Sequence, residues 1–341
     1  MARKHITPAE ATLYDWSLLA LIVAFGGSSF VMIRTAVATM PPAVVAAGRL
    51  WVAAIVVYIL MRAAGRRLPP FFIRNGRTFR IRRSWWWMIA VGASGNVLPF
   101  YIFPWAQQFV ESGLAGVYMA FMPIWTVALA YFFAGEKLSR RKMVGFTLGF
   151  FGVIVLMGPD AVKGALSSDL RAQMGLLLAT FLYAASAVLS RRAPPIRPRV
   201  FASGMLIVAA VMAVPTLFFT DLHREEWSLA SIASIFFLGV FPTGLNGILI
   251  IMLIRRAGAG FMAFSNYITP LWAVALGALV YHERLHWTVF IALTVILAGV
   301  AVSQRPPFSK KRPENSGIIA GDGMAGELEP MIEKSDSQTK S

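Results

Sequence analysis

Most of the side chains in this sequence that could do chemistry carry no charge. Ser28 and Ser29 follow a glycine pair. Asn96, Tyr101, Trp105 and Gln107 fall in one stretch, Thr243 and Asn246 in a second, Asn266 and Tyr267 in a third, and Met119 stands near Pro123. Amides and hydroxyls donate and accept hydrogen bonds, and Trp and Tyr faces attract cations and apolar bodies. Such a set suits the recognition of a zwitterionic or aromatic solute without bond breaking. For any one of these residues the competing reading is a hydrogen bond between helices. Pro99, Pro123, Pro242 and Pro270 are interleaved with them. Each proline frees a backbone carbonyl, which is tolerated inside an apolar run where a cavity or a partner satisfies it.

Charge is scarce where chemistry would need it. Arg49 is the one charged residue well inside an apolar run. A buried arginine in lipid costs several kcal/mol unless paired or wet. Two roles are open to it: a structural lock on helix-end carbonyls, or direct contact with a substrate or gate. No Asp or Glu lies in the middle of a run; Glu111, Glu136 and Glu283 stand at run ends, and His5, His223, His282 and His286 lie outside run centres. Glu136 and Glu283 are expected to pair with local bases or cap neighbouring helix N-termini. There is no cysteine, which excludes disulfides and thiolate metal sites. With no acid–base or metal cluster at depth, an intramembrane enzyme is disfavoured, and neither metal nor cofactor is expected. A proton-driven carrier needs a carboxylate or histidine deep in its path, so uncoupled transport or exchange is the expectation. A channel or scramblase, and a drug carrier coupled through a helix-end glutamate, are the rivals.

The elements that must position these residues follow from composition. Of 341 residues 57% are apolar and 14% charged, against roughly 25% charged in a soluble globule. Lipid is therefore the expected solvent. A spanning helix needs about 20 apolar residues, and ten runs qualify, near 15–34, 41–62, 85–106, 113–134, 142–158, 172–190, 200–220, 229–254, 260–281 and 286–303. The fold class expected is all-α and polytopic. The first run has no cleavage site and is read as a retained helix. With the N-terminus cytoplasmic, 26 of the 32 lysines and arginines fall on cytoplasmic segments, as the positive-inside rule requires. The net charge of +16 lies in short clusters between apolar runs, which argues against nucleic acid. The basic 62–83 loop is expected to lie on anionic headgroups. Residues 304–341 turn polar, and composition predicts a disordered cytoplasmic tail.

The chain repeats itself. "FMPIWTVALAYFFAGEKL" (121–138) and "ITPLWAVALGALVYHERL" (268–285) align without a gap at an offset of 147. Pro123 meets Pro270, Trp125 meets Trp272, and Glu136 meets Glu283. Residues 15–158 and 172–303 thus read as two five-helix units joined by an extracytoplasmic loop, 159–171, with residues 1–14 as a cytoplasmic N-terminus. Five is odd, so the second unit enters the membrane from the opposite face. Inverted repeats of this kind underlie alternating access, with the site near midplane. Gly145, Gly149 and Gly152 form a close-packing stripe, suited to contact within the chain or to a homodimer seam.

The proline–aromatic pattern ending in Gly-Glu-Lys-Leu, with "GGSSFVMIRTAV" (26–37) and "PPAVVAAGRLWVAA" (41–54), resembles the EamA unit of the drug/metabolite transporter superfamily. The likeness spans roughly residues 15–303 and is loosest near "LYAASAVLSRRAPP" (182–195). His282 stands where the family usually has glycine, and the family also shows an arginine at the place of Arg49. The resemblance implies ten helices around a central cavity in the plasma (inner) membrane. It also implies export or exchange of small metabolites, amino acids among them.

Overall fold

The structure, a computed structural model, describes residues 11–75, 78–134, 139–157, 168–221, 226–283 and 285–304. Helix α1 (Leu13–Val37) opens on a capping box: Thr12 Oγ1 accepts from the Asp15 amide, and Asp15 accepts from the Thr12 amide. Helix α2 (Pro42–Ala63) carries proline in its first turn, where the missing N–H costs nothing. It ends at Gly65, whose φ of +67° suits glycine, with Gly65 N donating to Arg62 O and Arg66 N to Met61 O. There follow α3 (Arg83–Gly92), α4 (Leu98–Ala106), α5 (Ser112–Met119), α6 (Met122–Ala134) and α7 (Arg140–Met157). The second half contributes α8 (Ser168–Arg192), α9 (Pro198–Leu217), α10 (Leu229–Leu238), α11 (Asn246–Met262), α12 (Ser265–Tyr281) and α13 (Trp287–Gln304). At Gly258 the chain turns out of helical geometry, with φ +88° and ψ 164°, a conformation open only to glycine.

Seven helical stretches among the described residues are long and apolar enough to cross a membrane. Their outward faces also carry large apolar side chains: Ile59, Trp86, Phe132, Val211 and Phe236 are all more than half exposed. Helices apolar all round belong in lipid, and the chain is a polytopic helical membrane protein. The core mixes large side chains such as Tyr118 and Phe121 with small residues that let helices approach closely. A Cβ on Gly145 of α7 would stand 2.5 Å from the Gly299 carbonyl of α13. The glycine stripe therefore packs α7 onto α13 within the chain.

The helices of the two halves interleave. α1 packs on α10, α11 and α12; α8 packs on α4 and α6; α2 packs on α9; and α7 packs on α13. Two π-helical turns interrupt the bundle, Ala93–Val97 between α3 and α4 and Gly239–Leu245 between α10 and α11. The offset of 147 carries the first onto residues 240–244, inside the second. Pro242 explains the second turn. It has no N–H to offer the Leu238 carbonyl four residues back, and the Thr243 hydroxyl donates to that carbonyl instead, at 2.7 Å.

One expectation needs correction. The fold is not purely helical, because part of the basic 62–83 loop forms an antiparallel hairpin, β1 (Phe72–Asn75) with β2 (Thr78–Ile81). Phe72 pairs with Ile81 and Ile73 with Arg80. Phe, Ile and Thr favour strands, a signal that the loop's arginines obscured. Glu136, the N-terminus to residue 10, most of 159–171 and the tail beyond 304 lie outside the described residues. His282 adopts φ 51° and ψ 36°. This left-handed cap is where glycine is favoured, and a side chain there costs about 1 kcal/mol.

Candidate functional site

A polar cluster lies midway along α1, where the glycine pair lets α12 come close. A Cβ on Gly27 would meet Trp272 at 2.6 Å, and one on Gly26 would meet Thr269 at 3.6 Å and Asn246 at 3.8 Å. Across this gap Trp272 Nε1 donates to Ser28 Oγ at 3.2 Å. Asn246, at the start of α11, is 9% exposed, and its Oδ1 has no partner. Ser29 turns away and donates to the Gly26 carbonyl. The structure thus brings together Ser28 and Asn246 from the predicted set, with Thr269 and Trp272 added by α12.

Arg49 sits beside this cluster, 7% exposed. Its Nε donates to Thr243 Oγ1 at 2.7 Å, and its guanidinium lies 3.8 Å from the centroid of Phe100. Among the described residues no carboxylate pairs with it. The result is a relay in which Pro242 orphans a carbonyl, Thr243 fills it, and Arg49 holds Thr243. The cation thereby ties α2 to the second π-turn on one side and to α4 on the other. Such a fastener gives Arg49 a structural part without a counter-ion.

At the face where α1 ends, a cavity of about 850 Å³ opens between α1, α2, α4 and α12. Arg34, Tyr101, Gln107, Trp227 and Tyr281 stand on its wall. Gln107 is 4% exposed, yet neither its amide nitrogen nor its oxygen has a hydrogen-bond partner. An unpaired buried amide costs about 1–3 kcal/mol, so a group that brings donors and acceptors to this wall regains that energy. Below the wall is a carboxylate knot. Glu283, whose side chain is 1% exposed, accepts from Arg34 Nη1 at 2.7 Å, from Ser112 N at 2.9 Å, from Ser112 Oγ at 2.6 Å and from Gly113 N at 2.9 Å. It therefore caps α5 from the far end of α12. Arg34 also lies over the Tyr281 ring, and Tyr281 shares a hydrogen bond with Thr35. Glu111, just before α5, has its carboxyl raised above the usual range by burial and then by the neighbouring Glu283 charge, with Arg34 opposing.

At the opposite face Arg256 of α11 donates to Asp15 Oδ1 at 2.9 Å and lies over Tyr14. α1 is thus fastened to the second half at both ends. Sequence reading missed both ion pairs, since the partners stand 249 and 241 residues apart.

The remaining predicted residues are dispersed. Asn96 is buried within the first π-turn, and Pro99 is buried at the start of α4. Trp105 packs on Phe109 and against Gly175. Met119 and Tyr267 are half-buried against the main core, Pro123 is half-buried at the start of α6, and Asn266 is exposed. Pro270 is buried inside α12.

The sequence matches the EamA-like transporter family over residues 15–158 and again over 170–304. The inner membrane transporter YedA of Escherichia coli (strain K12) is 26% identical over 288 residues, covering 84% of this chain and 89% of that one. YoaV, a transporter of Bacillus subtilis (strain 168), is 20% identical over 276 residues, 80% of this chain and 91% of that protein. A protein of Escherichia coli (strain K12) named a probable amino-acid metabolite efflux pump is 22% identical over 303 residues, 85% and 94% of the two chains. A solved crystal structure superposes with a TM-score of 0.58 at 17% identity, over 86% of this chain and 96% of that one, and so shares the fold. With both halves of the sequence matched, this chain belongs to the EamA-like transporter family.

Proposed function

We propose that this chain carries small zwitterionic or amphipathic metabolites, amino acids foremost, out of the cell across the plasma membrane. The two halves act as inverted five-helix repeats, ten spans in all, with both termini cytoplasmic, and they expose the site to each face in turn. The interleaving supports this reading. Packing of α1 on α12 is answered by packing of α8 on α6, and α2–α9 and α7–α13 are self-answering pairs. Exchange of the two halves leaves that pattern unchanged, as a twofold axis in the membrane plane requires.

The observation that carries the proposal is Gln107, an unpartnered amide on the wall of an 850 Å³ cavity. A solute carboxylate accepts from its Nε2 and a solute ammonium or amide donates to its Oε1, Arg34 adds positive charge, and Tyr101, Trp227 and Tyr281 offer ring faces. Gln107→Leu is the test, because its two effects have opposite signs. Removing an unpaired buried amide raises thermal stability by about 1 kcal/mol. Losing the solute's hydrogen bonds raises KM about tenfold. Proteoliposome counterflow with labelled neutral amino acids reads the second. A wild-type KM in a stabilised variant overturns the site.

One observation favours a proton-coupled version, the raised carboxyl of Glu111 beside the Arg34–Glu283 pair. A carboxyl whose folded pKa is raised contributes stability that is full below its unfolded pKa and lost as pH rises through its folded pKa. Glu111→Gln is therefore expected to lose that pH dependence of melting. If collapsing an imposed proton gradient stops wild-type flux and leaves the Glu111→Gln flux unchanged, coupling through Glu111 replaces the uncoupled reading.

A further inference from the structure

At the face where α1 begins, the end of α2, the start of α9 and the side of α11 enclose a second cavity of about 480 Å³. Arg66, Arg197, Arg199 and Arg255 line it. Four arginines meet there from the end of α2, the start of α9 and the side of α11, segments up to nearly 190 residues apart in the chain. Among the described residues no carboxylate pairs with any of the four. Like charges around one cavity repel, and the arrangement is kept by well-defined backbone. Arg66 follows the Gly65 cap, its backbone N–H donating to Met61 O, and the Arg197 carbonyl accepts from Val200 N and Phe201 N at the head of α9. Pro198 at the first helical position directs the α9 N-terminus, the positive end of its dipole, to the same place.

The other side of the cavity is apolar. Ile248, Ile251 and Met252 of α11 form it, and Met252 is 36% exposed. Ile55 and Ile59, two turns and one turn before the end of α2, are both more than half exposed. We infer that this cavity binds the phosphate of an anionic phospholipid, with the acyl chains lying along α11 and α2. Arginine forks match phosphate oxygens bidentately. A free phosphate-bearing solute shares that chemistry, but it makes no use of an apolar wall facing the bilayer. The site is separate from the Gln107 cavity, which opens at the other face.

Native mass spectrometry of the full-length purified protein tests the inference. Phosphatidylglycerol adducts are expected to survive at collision energies that strip phosphatidylcholine. The doubly substituted Arg197→Gln/Arg199→Gln protein is expected to retain at least tenfold less phosphatidylglycerol. Arg197→Lys/Arg199→Lys keeps the charge without the fork and is expected to fall between the two. All four arginines are exposed, so folding is expected to be unaffected, and the wild-type comparison of the two lipids stands without any variant. A separate arm adds millimolar inorganic phosphate. Displacement of lipid by phosphate alone assigns the site to a soluble phosphate and overturns the lipid assignment, as does equal retention of both lipids by the wild type.

Discussion

Glu283→Ala is expected to cost about 3 kcal/mol of stability, read as a large drop in melting temperature in detergent. Breaking a buried charge pair costs about 3–5 kcal/mol. The lower end applies because the Arg34 side chain is 33% exposed and can turn to water. The loss is more than one ion pair, since Ser112 N, Ser112 Oγ and Gly113 N all lose their acceptor together. Glu283→Gln is expected to recover little. Its amide has one acceptor atom where the carboxylate has two, so a donor faces either Gly113 N or Arg34. The replacement also deletes the negative charge at the head of α5. Space offers no escape, because a Cβ on Gly277 would already collide with the Glu283 carboxylate. An unchanged melting temperature in Glu283→Ala would show that the knot holds nothing.

Arg49→Ala is expected to be nearly as severe, at about 3 kcal/mol, with transport lost in whatever protein folds. The change empties the volume over Phe100 and removes the donor to Thr243, and large-to-small changes in packed cores cost about 2–5 kcal/mol. Arg49→Lys is the informative control. An ammonium keeps the charge but lacks the planar group that lies on a ring while Nε bonds a hydroxyl. Thr243→Val deletes the next link and exposes the carbonyl that Pro242 orphaned, at about 1–2 kcal/mol. Because the two residues touch, the double change is expected to cost less than the sum by about 1 kcal/mol in a double-mutant cycle. If Arg49→Ala leaves expression and flux intact, both the structural and the substrate role of Arg49 fall.

Helix positions were legible because lipid imposes one demand on every span. A run must be apolar for about 20 residues, and seven helical stretches among the described residues meet that demand. What happens inside a span was less legible. The second π-turn depends on which donor replaces the one proline lacks, and Thr243 is a candidate only once its neighbour Pro242 is seen to orphan Leu238. Gln107 and Asn246 could be named from residue type, but their want of partners is a fact of packing. Asn266 had the same type and faces outward. Arg34 stands near the end of the first apolar run with no acid beside it in the sequence, and only the fold brings Glu283 to it. Long-range pairs of this kind leave no local pattern, since neither partner alters the periodicity of its own segment.

The two pairs that fasten α1 also set a schedule for the chain's own assembly. Asp15 and Arg34 leave the ribosome 241 and 249 residues ahead of their partners, Arg256 and Glu283. At about 5–20 residues per second of synthesis, that delay is roughly 12–50 s. For all of it the first helix stands in the bilayer with a charge near each end and neither neutralised. Both charges lie close enough to the surface to reach headgroups and water, so lipid and solvent act as stand-in partners until α11 and α12 arrive. A chain released early, after its first half, has an unsatisfied first helix and is a natural substrate for membrane quality control.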